Sequence, residues 1–385
     1  MTQPIATFSF PTLILFGSGT IELLPQRLDA LGVTRPLVVT DPGLLKTEAF
    51  TLLQRALGPM ETGKWFLFSS VRPNPIEQDV VDGAEAYRQG NCNGVVAIGG
   101  GSALDAGKAI RLLLKQPGMT FENFDWKADW SGMAPCICIP TTAGTGSEVG
   151  RSSVVTLKAT GRKAVLFTPK LLADCVILDP VLTRGLPAKL TAATGVDALT
   201  HCIESFTCPS FHPMCDGIAL EGIRLCVEAL PKVFRDGSDL DARGKMLMAA
   251  AMGAVAFQKD LGATHSLAHP LSTVCGLHHG LANALCLPFV MQLNAERKPG
   301  LYRRVGLACG LDVMRMRDTD ADQVTLAFIS RFLNELNLGH GLRVERVTEE
   351  HIPKLVEQAW EDPCHLTNPV PISKEDLREL YLKAL

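Results

Sequence analysis

Asp197-Ala-Leu-Thr-His201 and His265-Ser-Leu-Ala-His269 each hold two coordinating side chains four residues apart, and His278-His279-Gly280 follows soon after. On a helix that spacing puts both groups on one face. Six of the nine histidines lie between 201 and 279. One at a time, each has an ordinary reading: a helical histidine is commonly a hydrogen-bonded core or surface residue, and an Asp–His pair at this spacing is commonly a surface hydrogen bond. The neighbours oppose the surface reading. Leu261, Leu267 and Leu271 surround His265 and His269, and unsatisfied imidazoles are costly in apolar surroundings. A divalent cation would satisfy several at once. One carboxylate with three imidazoles suits Fe²⁺ or Zn²⁺ and is a poor cage for Mg²⁺ or Ca²⁺. No Cys-x-x-Cys pair occurs, so a thiolate zinc site has no support.

A second group of residues can hold an anion. Gly99-Gly100-Gly101-Ser102-Ala103-Leu104-Asp105 stands where a strand should pass into a helix. Bare backbone lets N–H groups approach a phosphate, and the helix N-terminus adds its dipole. A pyrophosphate would fit, although Leu104 replaces the third glycine of Gly-x-Gly-x-x-Gly. The plainer alternative is a tight turn with Ser102 as helix N-cap. Pro140-Thr-Thr-Ala-Gly-Thr-Gly-Ser-Glu148 follows the next strand, where ligands bind in open parallel sheets; otherwise it is a polar loop. Asp41 also ends a strand. It can accept both ribose hydroxyls of an adenosine and repel a 2′-phosphate, or simply form a turn.

These groups need a scaffold that presents strand ends. Leu37–Thr40, Trp65–Phe68, Gly94–Ile98, Cys136–Pro140 and Cys175–Leu178 read as strands, with helical stretches at Ile76–Gln89 and Ala103–Leu114 between them. Near-continuous apolar strands alternating with helices predict a parallel sheet covered on both faces. After Pro187 strand-like runs cease, and Lys245–Val255 and Leu281–Leu293 read as helices. The expected division is a nucleotide-binding α/β domain over 1–184 and an all-α domain over 185–385. Residues 295–385 show no chemistry.

Composition narrows the functions further. At 385 residues two domains are expected. A formal net charge of -3 with no Lys/Arg run argues against a nucleic-acid partner. The longest apolar stretch, Leu247–Phe257, has 11 residues, against roughly 20 needed to span a bilayer. Twelve cysteines scattered through apolar segments read as buried free thiols. With no signal-like N-terminus, the expected location is the cytoplasm.

Taken together, Gly99-Gly-Gly-Ser102-x-x-Asp105, Pro140-Thr-Thr-Ala-Gly-Thr-Gly-Ser-Glu148, Asp197-x-x-x-His201-x-x-Glu204 and His265-x-x-x-His269-Pro-Leu with His279-Gly280 closely resemble the iron-containing (group III) alcohol dehydrogenase family, in its order and spacing. The resemblance spans at least 37–290. It implies a Rossmann-like N-terminal domain, a helical C-terminal domain and an active site in the cleft between them. It implies a metal, Fe²⁺ with Zn²⁺ possible, held by Asp197, His201, His265 and His279. It implies NAD against Asp41, Asn74, Gly100, Gly101, Ser102, Thr141, Thr142, Thr145 and Lys163, with His269 at the substrate end passing a proton. The partner would be a small alcohol or aldehyde, in a homodimer or larger oligomer.

Two departures bear on the substrate. Gly150-Arg151 stands where the family commonly has a threonine after Glu148-Val149, and Phe257–Gly262 is one residue shorter than usual. Arg151 or Lys259 can therefore hold a substrate carboxylate, as in an ω-hydroxy acid; the alternative makes both solvated surface cations. Dehydroquinate-synthase-like enzymes share the architecture but need a basic bed absent here. Glycerol-dehydrogenase-like enzymes generally use one Asp and two His, whereas a third His is present.

Overall fold

The computed structural model describes residues 10, 12–122, 124–159 and 161–385. They divide into two compact units: one holds the described residues from Thr12 to Thr142 and Gly146–Leu186, and the other holds Phe10, Ala143–Thr145 and Pro187–Leu385.

In the first unit the strands are β1 (Leu13–Phe16), β2 (Pro36–Val39), β3 (Phe66–Phe68), β4 (Gly94–Gly99), β5 (Cys136–Pro140), β6 (Ser152–Thr156), β7 (Lys163–Phe167) and β8 (Cys175–Leu178). The helices are α1 (Leu24–Ala30), α2 (Glu48–Leu57), α3 (Glu77–Gln89) and α4 (Gly101–Lys115). Six strands form one sheet in the order β1-β8-β5-β4-β2-β3, every pairing parallel. Strands β2, β4, β5 and β8 are buried along their whole length. Each buried Val or Ile contributes roughly 1.5–3 kcal/mol, which favours these segments in the middle of the sheet. From β2 the chain moves outward to β3, then returns to place β4 on the other side of β2. The carboxyl ends of β2 and β4 therefore flank the topological switch point, where such sheets bind ligands.

Two strand regions escaped the sequence reading. Strand β1 is a four-residue edge run with Leu13 and Phe16 exposed. Strands β6 and β7 form a separate antiparallel pair, with Gly161 in the connection at a φ of 68°.

The second unit is helical: α5 (Ala188–Thr207), α6 (Pro213–Arg235), α7 (Leu240–Ala256), α8 (Ala263–Cys275), α9 (His279–Arg297), α10 (Arg303–Ala308), α11 (Asp318–Glu335), α12 (Ile352–Glu361) and α13 (Lys374–Ala384). One core runs through it, from Val196 and Leu199 on α5 through Leu267 and Leu271 on α8 to Leu377 and Tyr381 on α13. Among the described residues no helix is long and apolar enough to cross a membrane.

Candidate metal centre and nucleotide site

Helix α5 carries Asp197 and His201, α8 carries His265 and His269, and α9 begins at His279. Three Nε2 atoms gather around one carboxylate oxygen: from Asp197 Oδ1, His279 lies 3.5 Å, His201 3.9 Å and His265 4.0 Å away. Donors about 2.1 Å from a tetrahedral cation stand about 3.4 Å apart, so modest contraction would close a shell. Asp197, His265 and His279 form the tightest group, with ligand atoms all within 4.8 Å of one another. His201 stands just outside that triplet, its ring stacked on His265 at 4.7 Å and 16°.

Close helix packing makes this convergence possible. A Cβ at Gly280 would overlap the Ala193 carbonyl on α5 and lie 3.2 Å from the Asp197 Cβ. Only glycine lets α9 start so near α5, and that brings His279 to Asp197.

The surrounding hydrogen bonds set which nitrogens face inward. Glu204, buried on α5, meets His265 Nδ1 at 2.6 Å. It also accepts the N–H groups of Gly262 at 3.0 Å and Thr264 at 2.7 Å, and so caps the start of α8. Burial opposes charge on both partners. Their mutual bond and attraction, together with the Thr264 bonds to Glu204 and the Asp197 and Asp362 charges near His265, outweigh it, lowering the Glu204 pKa and raising that of His265. Held through Nδ1, His265 turns Nε2 toward Asp197, the usual way a carboxylate orients a metal-binding imidazole. Burial, partly offset by Asp197, depresses the His201 pKa to about 4, so this imidazole is neutral and able to donate a lone pair.

Asn283, one turn after His279, fits the same reading. Its Nδ2 donates to Asp197 Oδ1 at 2.7 Å and lies 3.4 and 3.3 Å from the Nε2 atoms of His265 and His279. Three acceptors thus converge on the positive end of one amide, the electrostatic position a cation fills. The donor set suits Fe²⁺ or Zn²⁺.

His269 faces outward from this group. Its Nδ1 meets Asp362 Oδ2 at 2.7 Å, and its ring stacks on His279 at 5.1 Å and 11°. Asp362 also accepts from Ser266 Oγ at 2.8 Å and Cys364 N at 2.9 Å. Burial would raise the Asp362 pKa, but these bonds, led by His269, hold it far below the usual carboxylate range. Asp362 corrects the expectation that 295–385 carries no chemistry. Glu204 entered the sequence reading only as a motif letter, and Asn283 did not enter it.

Lys259 is not a surface cation. It is buried and paired with Asp216, and it donates to the Phe206 carbonyl at 3.3 Å. Arg151 lies over the Phe167 ring, 5.6 Å from its centroid. His278 is exposed.

In the sheet unit, Asp41 follows β2. Its Oδ1 accepts from Gly43 N at 2.8 Å and Leu44 N at 3.1 Å, so the turn-forming role is real. Its Oδ2 lies beside Gly99, 3.4 Å from where a Cβ would be. Gly99 has a φ of 144°, which favours glycine. Helix α4 begins at Gly101 with Gly100 as N-cap. Ser102 is therefore inside the first turn rather than capping it, and its Oγ accepts the Asn74 N–H at 3.2 Å. Thr141 N–H donates to the Gly99 carbonyl at 2.9 Å, and the Thr142 side chain faces Gly100. Asp41, Asn74, Gly100, Ser102, Thr141 and Thr142 thus gather at the ends of β2, β4 and β5. Lys163 opens β7 opposite Thr156, and Thr145 belongs to the helical unit. Lys108, fully buried, anchors the segment after the threonine turn through the carbonyls of Ser147 at 2.8 Å and Ser152.

Comparisons with known proteins agree along the whole chain. Residues 11–180 match the family model for iron-containing alcohol dehydrogenase, and 191–385 match that for the C-terminal part of the Fe-containing alcohol dehydrogenase family. A 4-hydroxybutyrate dehydrogenase of Cupriavidus necator is 38% identical, covering 99% of this chain and 100% of its own. A crystal structure of 1,3-propanediol oxidoreductase superposes with a TM-score of 0.94 at 32% identity, covering 99% of this chain and 100% of that one. The sulfoacetaldehyde reductase of Bifidobacterium kashiwanohense, solved with NAD⁺, gives a TM-score of 0.88 at 29% identity, covering 99% of each chain.

Proposed function

The chain belongs to the iron-containing alcohol dehydrogenase family, and from that premise we propose how its residues divide the work and which alcohols it takes. It is an NAD-dependent, iron-type oxidoreductase that moves a hydride between NAD(H) and a small primary alcohol or aldehyde. The observation that carries the residue assignment is the convergence of three imidazole Nε2 atoms on Asp197 Oδ1.

Asp197, His201, His265 and His279 are the proposed ligands, and bound Fe²⁺ would supply Lewis acidity toward the substrate oxygen. Glu204 keeps the His265 lone pair on Nε2. His269 donates Nδ1–H to Asp362, which leaves Nε2 to take the proton released on oxidation and return it on reduction. Asp41 accepts from the adenosine ribose and disfavours NADP. Gly100, Gly101, Ser102, Thr141 and Thr142 receive the pyrophosphate, and Asn74, Thr145 and Lys163 complete the nucleotide contacts.

The proposed substrates carry a second polar end: ω-hydroxy acids and diols. The full-length likeness to a 4-hydroxybutyrate dehydrogenase supports this. Because Asp216 already neutralises Lys259, the substrate carboxylate is assigned to Arg151. The twelve free cysteines suit a reducing cytoplasm. Exposed Leu13 and Phe16 on the edge strand suit cover by a second copy.

The test is NADH formation by protein loaded with Fe²⁺ or Zn²⁺, offered 1-butanol, 1,3-propanediol and 4-hydroxybutyrate, with chelated controls. Metal-dependent NADH production that ranks 4-hydroxybutyrate or the diol above 1-butanol is expected. Equal use of 1-butanol, or selectivity unchanged in Arg151→Ala, overturns the substrate assignment. Retention of Fe²⁺ by His265→Ala or His279→Ala overturns the ligand assignment.

A further inference from the structure

We propose that His269, Asp362 and Cys364 form a second cation site, suited to a thiophilic divalent ion such as Zn²⁺, whose occupation blocks turnover. Each residue offers one ligand atom, and the three atoms lie within 4.8 Å of one another. Asp362 is the hub, with Oδ2 2.7 Å from His269 Nδ1 and Oδ1 fixed by Ser266 Oγ and the Cys364 N–H. All three residues are half-buried, and the His269 side chain is 30% exposed. Solvent can therefore supply the fourth position of a tetrahedral shell.

The chemistry separates this site from the first. The Asp197 group has no sulfur donor, whereas Cys364 would add a thiolate, and thiolate selects zinc-like ions over harder ones. Charge balances on loading. The cation brings two positive charges; Asp362 already carries one negative charge, and the Cys364 thiol becomes a thiolate by releasing its proton to solvent. The loaded site is neutral, so no net charge is buried.

Occupation changes the tautomer of His269. A cation on Nδ1 displaces the hydrogen now shared with Asp362 onto Nε2. The nitrogen proposed to accept the substrate's proton is then protonated and cannot accept. This blocking effect rests on the proton role assigned to His269 above; the existence of the site does not.

The experiment starts from iron-loaded protein equilibrated with Zn²⁺, dialysed and analysed for total metal. The wild type should hold two cations per chain and Cys364→Ser one. Titration with Cd²⁺ should raise an ultraviolet thiolate-to-cadmium band in the wild type that is missing in Cys364→Ser. One cation per wild-type chain, or a band that survives the substitution, overturns the site. Added Zn²⁺ should inhibit the iron enzyme, with potency falling at least about tenfold in Cys364→Ser. Two cations per chain with unimpaired turnover overturns the blocking effect. Failure of the catalytic reading looks different: no metal-dependent NADH from any alcohol, whatever the metal count.

Discussion

Glu204 and His265, 61 residues apart in sequence, share a 2.6 Å hydrogen bond that fixes which imidazole nitrogen faces Asp197. The same carboxylate caps the first N–H groups of α8. Imidazole orientation and helix initiation thus depend on one side chain. Glu204→Gln is expected to weaken metal affinity about 10- to 100-fold, measured by metal content after dialysis against graded chelator. Glu204→Ala should do the same and also lower the melting temperature, because it removes the cap. Unchanged metal retention in both variants would refute the orienting role.

Gly280 gives a steric prediction. A methyl group there overlaps the Ala193 carbonyl, and backbone cannot turn aside as a flexible side chain can. Gly280→Ala should destabilise the helical unit by at least about 1–3 kcal/mol and pull His279 away from Asp197. Thermal melting and metal content report the two effects, and both should fall together.

Asp362 should control proton transfer without holding the catalytic metal. Asp362→Asn lets the His269 ring reverse its tautomer, since the amide can donate where the carboxylate only accepted. The expected result is a kcat loss of about 10- to 100-fold with iron content unchanged. A kcat–pH profile altered in shape would separate this from a merely structural defect. An Asp362→Asn enzyme with wild-type kcat across pH would remove His269 from the proton path.

Glu148, buried after the threonine turn, carries a pH signature. Burial raises its pKa from 4.5 to about 7, against a lowering contribution from its backbone hydrogen bond and from nearby Lys108. A carboxyl group with a raised folded pKa favours the fold below its unfolded value. That advantage is lost as pH rises from about 4.5 through 7. The interval is worth up to about 3 kcal/mol. Glu148→Gln, neutral at every pH, should melt close to wild type near pH 5 and above it near pH 8. A difference that does not change with pH would contradict the assignment.

Much of this arrangement was legible locally. The apolar runs of β4, β5 and β8 end where turn residues begin, and the four-residue spacings of Asp197–His201 and His265–His269 survive as helix faces. The partners that orient them were not legible, because Glu204–His265 and His269–Asp362 are joined by packing across 61 and 93 residues. Lys259 misled for a related reason: a lysine in a polar segment reads as solvated until Asp216, 43 residues earlier, is seen beside it. The β6–β7 pair was not legible either: Ser152–Thr156 alternates between half-buried and buried positions in the fold, but its order of two serines, two valines and a threonine carries no matching alternation of polarity.

Ala143–Thr145 belong to the helical unit although the residues on either side belong to the sheet. The Gly144 backbone lies so close to Thr194 that a Cβ there would come within 2.9 Å of the Thr194 Cβ. The two units are therefore not interchangeable modules. A single cut or crossover near residue 186 would leave the helical half without Ala143–Thr145. Grafting the Asp197–His279 cluster onto another sheet scaffold would require carrying the tripeptide across as a separate insertion.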